Sequence, residues 1–348
     1  MRKRRLGTAG LHALAGCAFV LGSALPAAGA ESSARTVTLH GMVSSLSVDG
    51  SIAAVKTSYK NGGKTCSAAV AWREGRARVT TFGKPECTGR ASTDLNVVNL
   101  TIAGDQVVWT RYEFGNDAYC RAMLTATLAK PRPHDFGICD GMEGNQYYDF
   151  AGQGHLLVTR EYTECEVDCA FDYSFEGQAY ITLYQVTSTL AKIGPLKNDT
   201  RLRDVDAGRL LLSRGPTLEV MTPNQGANAV FITAPKMVSN AFLSGNTALA
   251  VTGPTLTGYD ATTGTETTSR SLPAGAAVDD FSDGLVLYTA KGQIRVLRLA
   301  DGRTRRVATV KGLVGAKLDA SGLFYAANSA GSGHLTFVPV TALNELLG

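Results

Sequence analysis

Asp149, Asp204 and Asp280 each stand just before the apolar residue that ends a strand-like run, in "YDFA", "RDVD" and "DDFS", and Lys317 holds the matching place in "AKLD". Brought together, these four groups could serve general acid–base chemistry. Carboxylates with separated pKa values beside a cation are what a carbohydrate-active hydrolase or lyase requires. An aspartate beside a turn has a plainer use, accepting hydrogen bonds from backbone N–H groups, and the neighbouring turns favour that use here. No nucleophile elbow, nucleotide loop or zinc-protease motif accompanies the set, so no residue is assigned as catalytic.

A second set suits recognition. The segments "TSYKNGGKTC", "RYEFGNDAYC" and "REYTECEVDCAFDYSFEGQA" carry Tyr59, Tyr112, Phe114, Tyr162, Phe171 and Tyr173, interleaved with acids. Aromatic rings with polar neighbours are the composition of protein interfaces and of sugar-stacking surfaces. The same rings also anchor long loops to the scaffold beneath them. The acids match no EF-hand loop, and His40, His134, His155 and His334 lie in separate units, so neither a metal site nor a cofactor is expected.

The elements that position both sets are written seven times: an apolar run, a tight Gly or Asp turn, then a second apolar run. In order they are "SLSVDGSIAAV", "NLTIAGDQVVW", "YYDFAGQGHLLV", "LRDVDAGRLLL", "NAFLSGNTALAV", "VDDFSDGLVLYT" and "GAKLDASGLFYA". Such turns are hairpin chemistry, because glycine, and less readily Asn and Asp, accepts positive φ. A second hairpin follows, plainest in "TLEVMTPNQGANAVFIT", "TLTGYDATTGTETTSRSL" and "QIRVLRLADGRTRRVATV". Four strands per unit, stacked radially, predict an all-β, seven-bladed β-propeller of antiparallel blades spanning residues 31–348 as one domain. "GPTL" then recurs at 215–218 and 253–256 as the b-to-c turn of adjacent blades, and Ser47, Thr101 and Phe242 complete the ring of positions begun by the three aspartates and the lysine. The last unit supplies only three strands before "TALNELLG", expected as a frayed helical tail. The orphan segment "ARTVTLH" at 34–40 is expected to pair as that blade's outer strand, leaving no open edge.

At "YDATTGTETT" and "RLADGRTRRV" the repeats resemble the broad superfamily of WD-repeat-like, TolB-like and quinoprotein-like propellers, a resemblance that implies the fold rather than a function. Where quinoprotein blades place a docking tryptophan after the Thr-Gly pair, this chain has Thr268; its two tryptophans are Trp72 and Trp109.

Residues 1–30 read as a signal peptide, "MRKRR" followed by an apolar stretch, with cleavage near Ala30 and a secreted product; "LAGC" ending at Cys17 is the competing lipoprotein reading. The first five residues carry four of the 34 Lys and Arg, leaving 30 bases against 30 acids. That balance excludes the global basic field of a nucleic-acid binder, and no run is long enough to span a membrane. In an exported chain six cysteines imply disulfides. Cys66 and Cys120 begin equivalent strands and Cys87 and Cys139 follow equivalent ones, which predicts Cys66–Cys87 and Cys120–Cys139, leaving Cys165–Cys169 to staple one loop. The expected function is a monomeric binding or interaction module, with a protein or glycan partner held by the enlarged loops of blades one to three. The alternative is a carbohydrate-active enzyme using the channel carboxylates.

Overall fold

The computed structural model describes residues 34–88, 97–114, 119–136, 145–163, 180–186, 190–196, 199–223 and 229–348; within blades two and three part of the strands is described by backbone alone. The signal-like segment, Phe171, Tyr173, Cys139, Cys165 and Cys169 lie outside the described residues.

β1 (Arg35–Leu39) leads into seven four-stranded sheets. Blade one is β2 (Met42–Asp49), β3 (Ile52–Asn61), β4 (Lys64–Arg73) and β5 (Thr80–Thr88). Blade two is β6 (Val97–Ala103), β7 (Gln106–Phe114), β8 (Tyr119–Thr127) and the two-residue β9 (His134–Asp135). Blade three is β10 (Asn145–Gln153), β11 (Leu156–Thr163), β12 (Tyr180–Val186) and β13 (Leu190–Leu196); blade four is β14 (Arg201–Asp206), β15 (Arg209–Arg214), β16 (Thr217–Met221) and β17 (Val230–Thr233). Blade five is β18 (Asn240–Ser244), β19 (Thr247–Thr252), β20 (Thr255–Asp260) and β21 (Glu266–Ser271); blade six is β22 (Ala277–Ser282), β23 (Leu285–Ala290), β24 (Gln293–Arg298) and β25 (Thr304–Thr309). Blade seven contributes β26 (Leu313–Asp319), β27 (Gly322–Ser329) and β28 (Ser332–Pro339), and β1 pairs antiparallel with β28 as its outer strand, Arg35 opposite Phe337 through Leu39 opposite Gly333.

The second strand of each blade faces a neighbouring blade on both sides. It therefore reads as a continuous apolar run, as in "IAAV" of β3 and "ALAV" of β19, whose residues are buried in succession. The outer β21, "ETTSRS", has one face to solvent and is polar throughout. The apolar core accordingly divides into seven clusters, one per blade junction. Trp72 packs edge-on against Phe324 at the junction of blades seven and one, and Trp109 meets Phe82 at the next, each pair with ring centroids 6.0 Å apart. Two turn glycines are required by close approach: a Cβ on Gly104 would lie 2.5 Å from the Gly154 carbonyl oxygen of the next blade, and one on Gly322 would lie 2.2 Å from the Val338 carbonyl oxygen of the paired strand in its own blade.

The repeated "GPTL" has a packing reason. The carbonyls of Pro216 and Pro254 accept from the N–H groups of Ala234 and Leu272, closing each outer strand onto its b-to-c turn. The C-terminal segment is docked rather than frayed. Helix α1 (Val340–Leu347) buries Ala342, Leu343 and Leu347 in the core between blades six and seven, and the Arg303 guanidinium donates to the Gly348 oxygen at 2.7 Å. Its amphipathic spacing gives it an apolar face, and the groove between the blades receives that face.

Cys66 and Cys87 form a disulfide. They are direct cross-strand partners on β4 and β5, so Cys87 lies within the outer strand instead of after it. Closing a loop with a sequence separation of 21 stabilises by about 3 kcal/mol on the chain-entropy model. Cys120 is the second residue of β8.

Candidate functional site: the channel and the projecting hairpins

The innermost strands of the blades line a central cavity of about 190 Å³, walled by Ser47, Thr101, Asp204, Asp280 and Lys317 among others. In six blades a bulge interrupts the pairing of this strand with the next; in blades four and six it falls immediately before Asp204 and Asp280 and turns the strand at those residues. Counting back two from the last residue of each inner strand gives Ser47, Thr101, Asp204, Phe242, Asp280 and Lys317, as the sequence predicts, but in blade three it gives Ala151. Asp149 stands two residues earlier, opposite Arg160, because the turn is Gly154-His155 and the strand runs on through Gln153. Its side chain is outside the described set.

What these side chains do is repeated from junction to junction. Asp204 accepts from the N–H of Val205 at 2.9 Å through one oxygen and from that of Leu243, in the next blade, at 2.8 Å through the other. Asp280 accepts from Phe281 at 3.0 Å and from Leu318, again in the next blade, at 2.9 Å. Ser47 Oγ receives the N–H of Ile102 at 3.1 Å in the same geometry with a neutral group. Lys317 lies 3.8 Å from Asp280 Oδ2 and donates to the Asp279 carbonyl at 3.0 Å. The bulge residue Arg203 donates to Ser213 Oγ at 2.6 Å.

A second ring of staples, one residue further along, is absent from the sequence reading. The last residue of an inner strand accepts from the first turn residue of the next blade: Gln153 from Ala207 at 2.9 Å, Asp206 from Gly245 at 2.5 Å, Ser244 from Asp283 at 2.9 Å, and Asp49 from Gly104. Asp49 reaches further and takes the Gly154 N–H at 2.6 Å as well, joining blades one, two and three. The signal was present as a polar residue immediately before each turn, in "VDG", "GQG", "VDAG" and "LSGN". Those residues also suit the turn itself, which hides the reach to the neighbouring blade.

Burial governs the electrostatics. Burial, reinforced by the nearby charge of Asp280, pushes the Asp204 carboxyl up to about 7. Burial also raises Asp280, against the opposing pull of Lys317, and raises Asp49 against its two backbone N–H donors. Asp279, whose Oδ2 is buried with no hydrogen-bond partner among the described residues, is raised to about 6, again chiefly by burial. A carboxyl near neutrality can exchange a proton. Both oxygens of Asp204 and of Asp280, however, already hold backbone N–H groups.

The described members of the recognition set, Tyr59, Tyr112, Phe114 and Tyr162, lie toward the b-to-c ends of their strands, on the opposite face. The enlarged segments of blades one and two are long hairpins rather than irregular loops. β3 and β4 run for 10 residues each and meet at Gly62-Gly63, whereas β15, β19 and β23 run for 6 before equally short turns. The four extra residues carry the first hairpin about 13 Å beyond those of blades four to six. The disulfide ties this projecting part, at Cys66, to the outer strand. Tyr59 is opposite Cys66 and half-buried, its ring 4.2 Å from that of His40, so it anchors the entry to blade one. Tyr112 and Phe114 lie on β7 opposite Arg121 and Tyr119, and Tyr162 on β11 opposite Ile181.

No family model and no curated protein matches the chain. Solved structures match its fold. A chain of the mitotic checkpoint complex aligns with a TM-score of 0.56 at 13% identity, covering 88% of this chain and 94% of that one. Hsv2 of Kluyvelomyces marxianus aligns at 0.52 and 11% identity, covering 82% and 89%. Acylaminoacyl peptidase of Pyrococcus horikoshii aligns at 0.56 and 12% identity over 83% of this chain but 50% of its own length. With identities this low the likeness establishes a β-propeller and nothing finer.

Proposed function

We propose that the chain is an exported β-propeller acting as a binding or protein-interaction module through the projecting hairpins of blades one and two and the long b-to-c segment of blade three. The observation that carries this reading is the hairpin of β3 and β4, which extends four residues past those of blades four to six and is braced by a disulfide. Six-residue strands suffice to build a blade, so folding alone does not require the extension. A braced edge presents its side chains at low entropic cost, and aromatic anchors of the kind carried by the neighbouring segments dominate binding energy. One fold neighbour occurs in a multiprotein complex, in keeping with such a role.

The carbohydrate-active alternative is favoured by one observation, the Asp204 carboxyl at about 7 beside Asp280 and Lys317 in one cavity. Against it, the cavity of about 190 Å³ falls below the roughly 300 Å³ of ordinary ligand sites, and the carboxylates already staple blades together. An affinity pull-down and a glycan array with the mature protein identify the partner. Tyr112→Ala, Phe114→Ala, Phe171→Ala and Tyr173→Ala combined should then abolish capture without altering the melting curve, since one buried interface aromatic is worth about 2 kcal/mol or more. Normal capture by that variant together with failure of Asp204→Asn/Asp280→Asn would overturn the reading in favour of the channel.

A further inference from the structure

The face opposite the projecting hairpins carries a second feature. The c-to-d turn of blade one, "REGRARV", presents Arg73, Arg76 and Arg78, all exposed. None of the three guanidinium groups has an ion-pair or hydrogen-bond partner among the described residues, whereas the one acid of the turn, Glu74, is already paired with Arg35. The turn is held rigidly. The Trp72 indole, buried in the blade junction, donates to the Arg76 carbonyl at 2.8 Å, Arg76 N–H returns to the Arg73 carbonyl at 3.1 Å, and Glu74 N–H reaches the Ser51 carbonyl of the neighbouring a-to-b turn at 2.8 Å. Blade two's equivalent turn, with Lys130 and Arg132, is clamped beside it by the bond from Gly83 N–H to the Pro131 carbonyl at 2.8 Å. Between the two turns lies an open concavity of about 530 Å³, with the three arginines on one side and Val79, Leu128 and Ala129 supplying an apolar floor.

We infer that this concavity is a binding site for an anionic glycan, one whose sugars bear sulfate or phosphate groups. Guanidinium forks recognise tetrahedral oxyanions bidentately, and holding three of them on a fixed turn lowers the ordering cost of the complex. The floor offers apolar surface to the sugar ring between the charged groups. A lipid surface fits less well, because the large apolar side chains exposed among the described residues, Met42, Phe231 and Met237, are not among those lining this concavity. A nucleic acid fits less well, because none of the residues lining the concavity is aromatic and a base would find no ring to stack on. The site is independent of the hairpin face, and neither proposal stands on the other.

The test is calorimetric titration of the mature protein with a heparin-derived hexasaccharide as the sulfated probe, with inorganic sulfate, inorganic phosphate and anionic phospholipid vesicles as separate arms. Binding should weaken with salt, and Arg73→Ser/Arg76→Ser/Arg78→Ser should weaken it about tenfold or more and lower the log–log salt slope by roughly one per arginine in contact. Arg76→Lys, which keeps the charge and loses the fork, should fall between. Arg305→Ser/Arg306→Ser removes charge from a different exposed strand and should leave binding unchanged, as should the aromatic hairpin variant. Unaltered melting curves in each variant exclude loss of fold as the cause. Equal binding by the triple variant, an equal loss in the Arg305/Arg306 variant, or binding to vesicles in preference to the hexasaccharide overturns the assignment.

Discussion

The junction between blades seven and one and the junction between blades four and five hold the same architecture by different means. Blades four and five are joined by continuous chain, and two aspartates finish the contact: Asp204 on the Leu243 N–H and Asp206 on the Gly245 N–H. At the seam of blades seven and one the outer strand comes from the other end of the sequence: β1 closes blade seven and continues directly into β2 of blade one. β1 pairs along β28, Leu39 enters the core, Thr36 and Thr336 hydroxyls meet at 2.9 Å, and the Asn328 amide grips both the N–H and the carbonyl of Val43 at 2.8 Å. The seam uses several neutral groups together with the Arg35–Glu74 ion pair; the junction of blades four and five relies on aspartates, of which at least one carries a raised pKa. Where a paired strand supplies many contacts no single group decides the junction; where a buried carboxylate bridges two blades, its charge state matters.

The largest expected effect breaks the seam. Deleting residues 31–41 exposes the β28 edge and removes a buried leucine, so the melting temperature should fall by more than about 10 °C or the chain should aggregate. A melt within a degree or two of the parent would show that the ring does not depend on this strand. At the junction of blades four and five, Asp204→Ala leaves the Val205 and Leu243 N–H groups without their acceptor and should cost about 3 kcal/mol in denaturant unfolding. Asn328→Ala strips both partners from Val43 and should cost about 2 kcal/mol, less than the deletion because the strand pairing remains. Ser47→Ala, the neutral equivalent of the Asp204 staple, should cost about 1 kcal/mol; a loss equal to that of Asp204→Ala would mean that charge adds nothing to the staple.

The finest distinction is in pH dependence. Asp204 has a folded pKa of about 7 against an unfolded value near 3.9, so the folded state holds the extra proton. Its contribution is complete in acid, below about pH 4, and is lost as pH rises through about 7. Asp279, raised to about 6, acts in the same direction. The melting temperature should therefore be a few degrees higher at pH 5.5 than at pH 8, and Asp204→Asn should flatten the difference. Asn328→Ala should leave the slope unchanged, since the Asn328 amide does not titrate. A parent protein more stable at pH 8, or an Asp204→Asn slope equal to the parent's, would remove the carboxylate from the account.

Seven repeats, four strands each and the closing strand at 34–40 were legible in the amino-acid order, because alternation of apolar runs with glycine turns is a local property and an unpaired edge strand is a countable deficit. The Cys66–Cys87 bond was legible for the same reason, equivalent cysteines in equivalent strands. The place of Asp149 was not: a strand that runs two residues further before its turn changes every equivalence, and no local rule states where the turn begins. Nor could the order of residues separate a catalytic aspartate from a staple. Asp204, Asp206 and Asp49 look alike beside their turns, and only the stacking of one blade on the next brings each to a backbone N–H group some 40 to 105 residues away. The arginine concavity is likewise a product of tertiary contact. Its cations are ordinary turn residues in sequence, and they become a site because a buried indole fixes one turn and a single backbone bond sets the neighbouring blade's turn beside it.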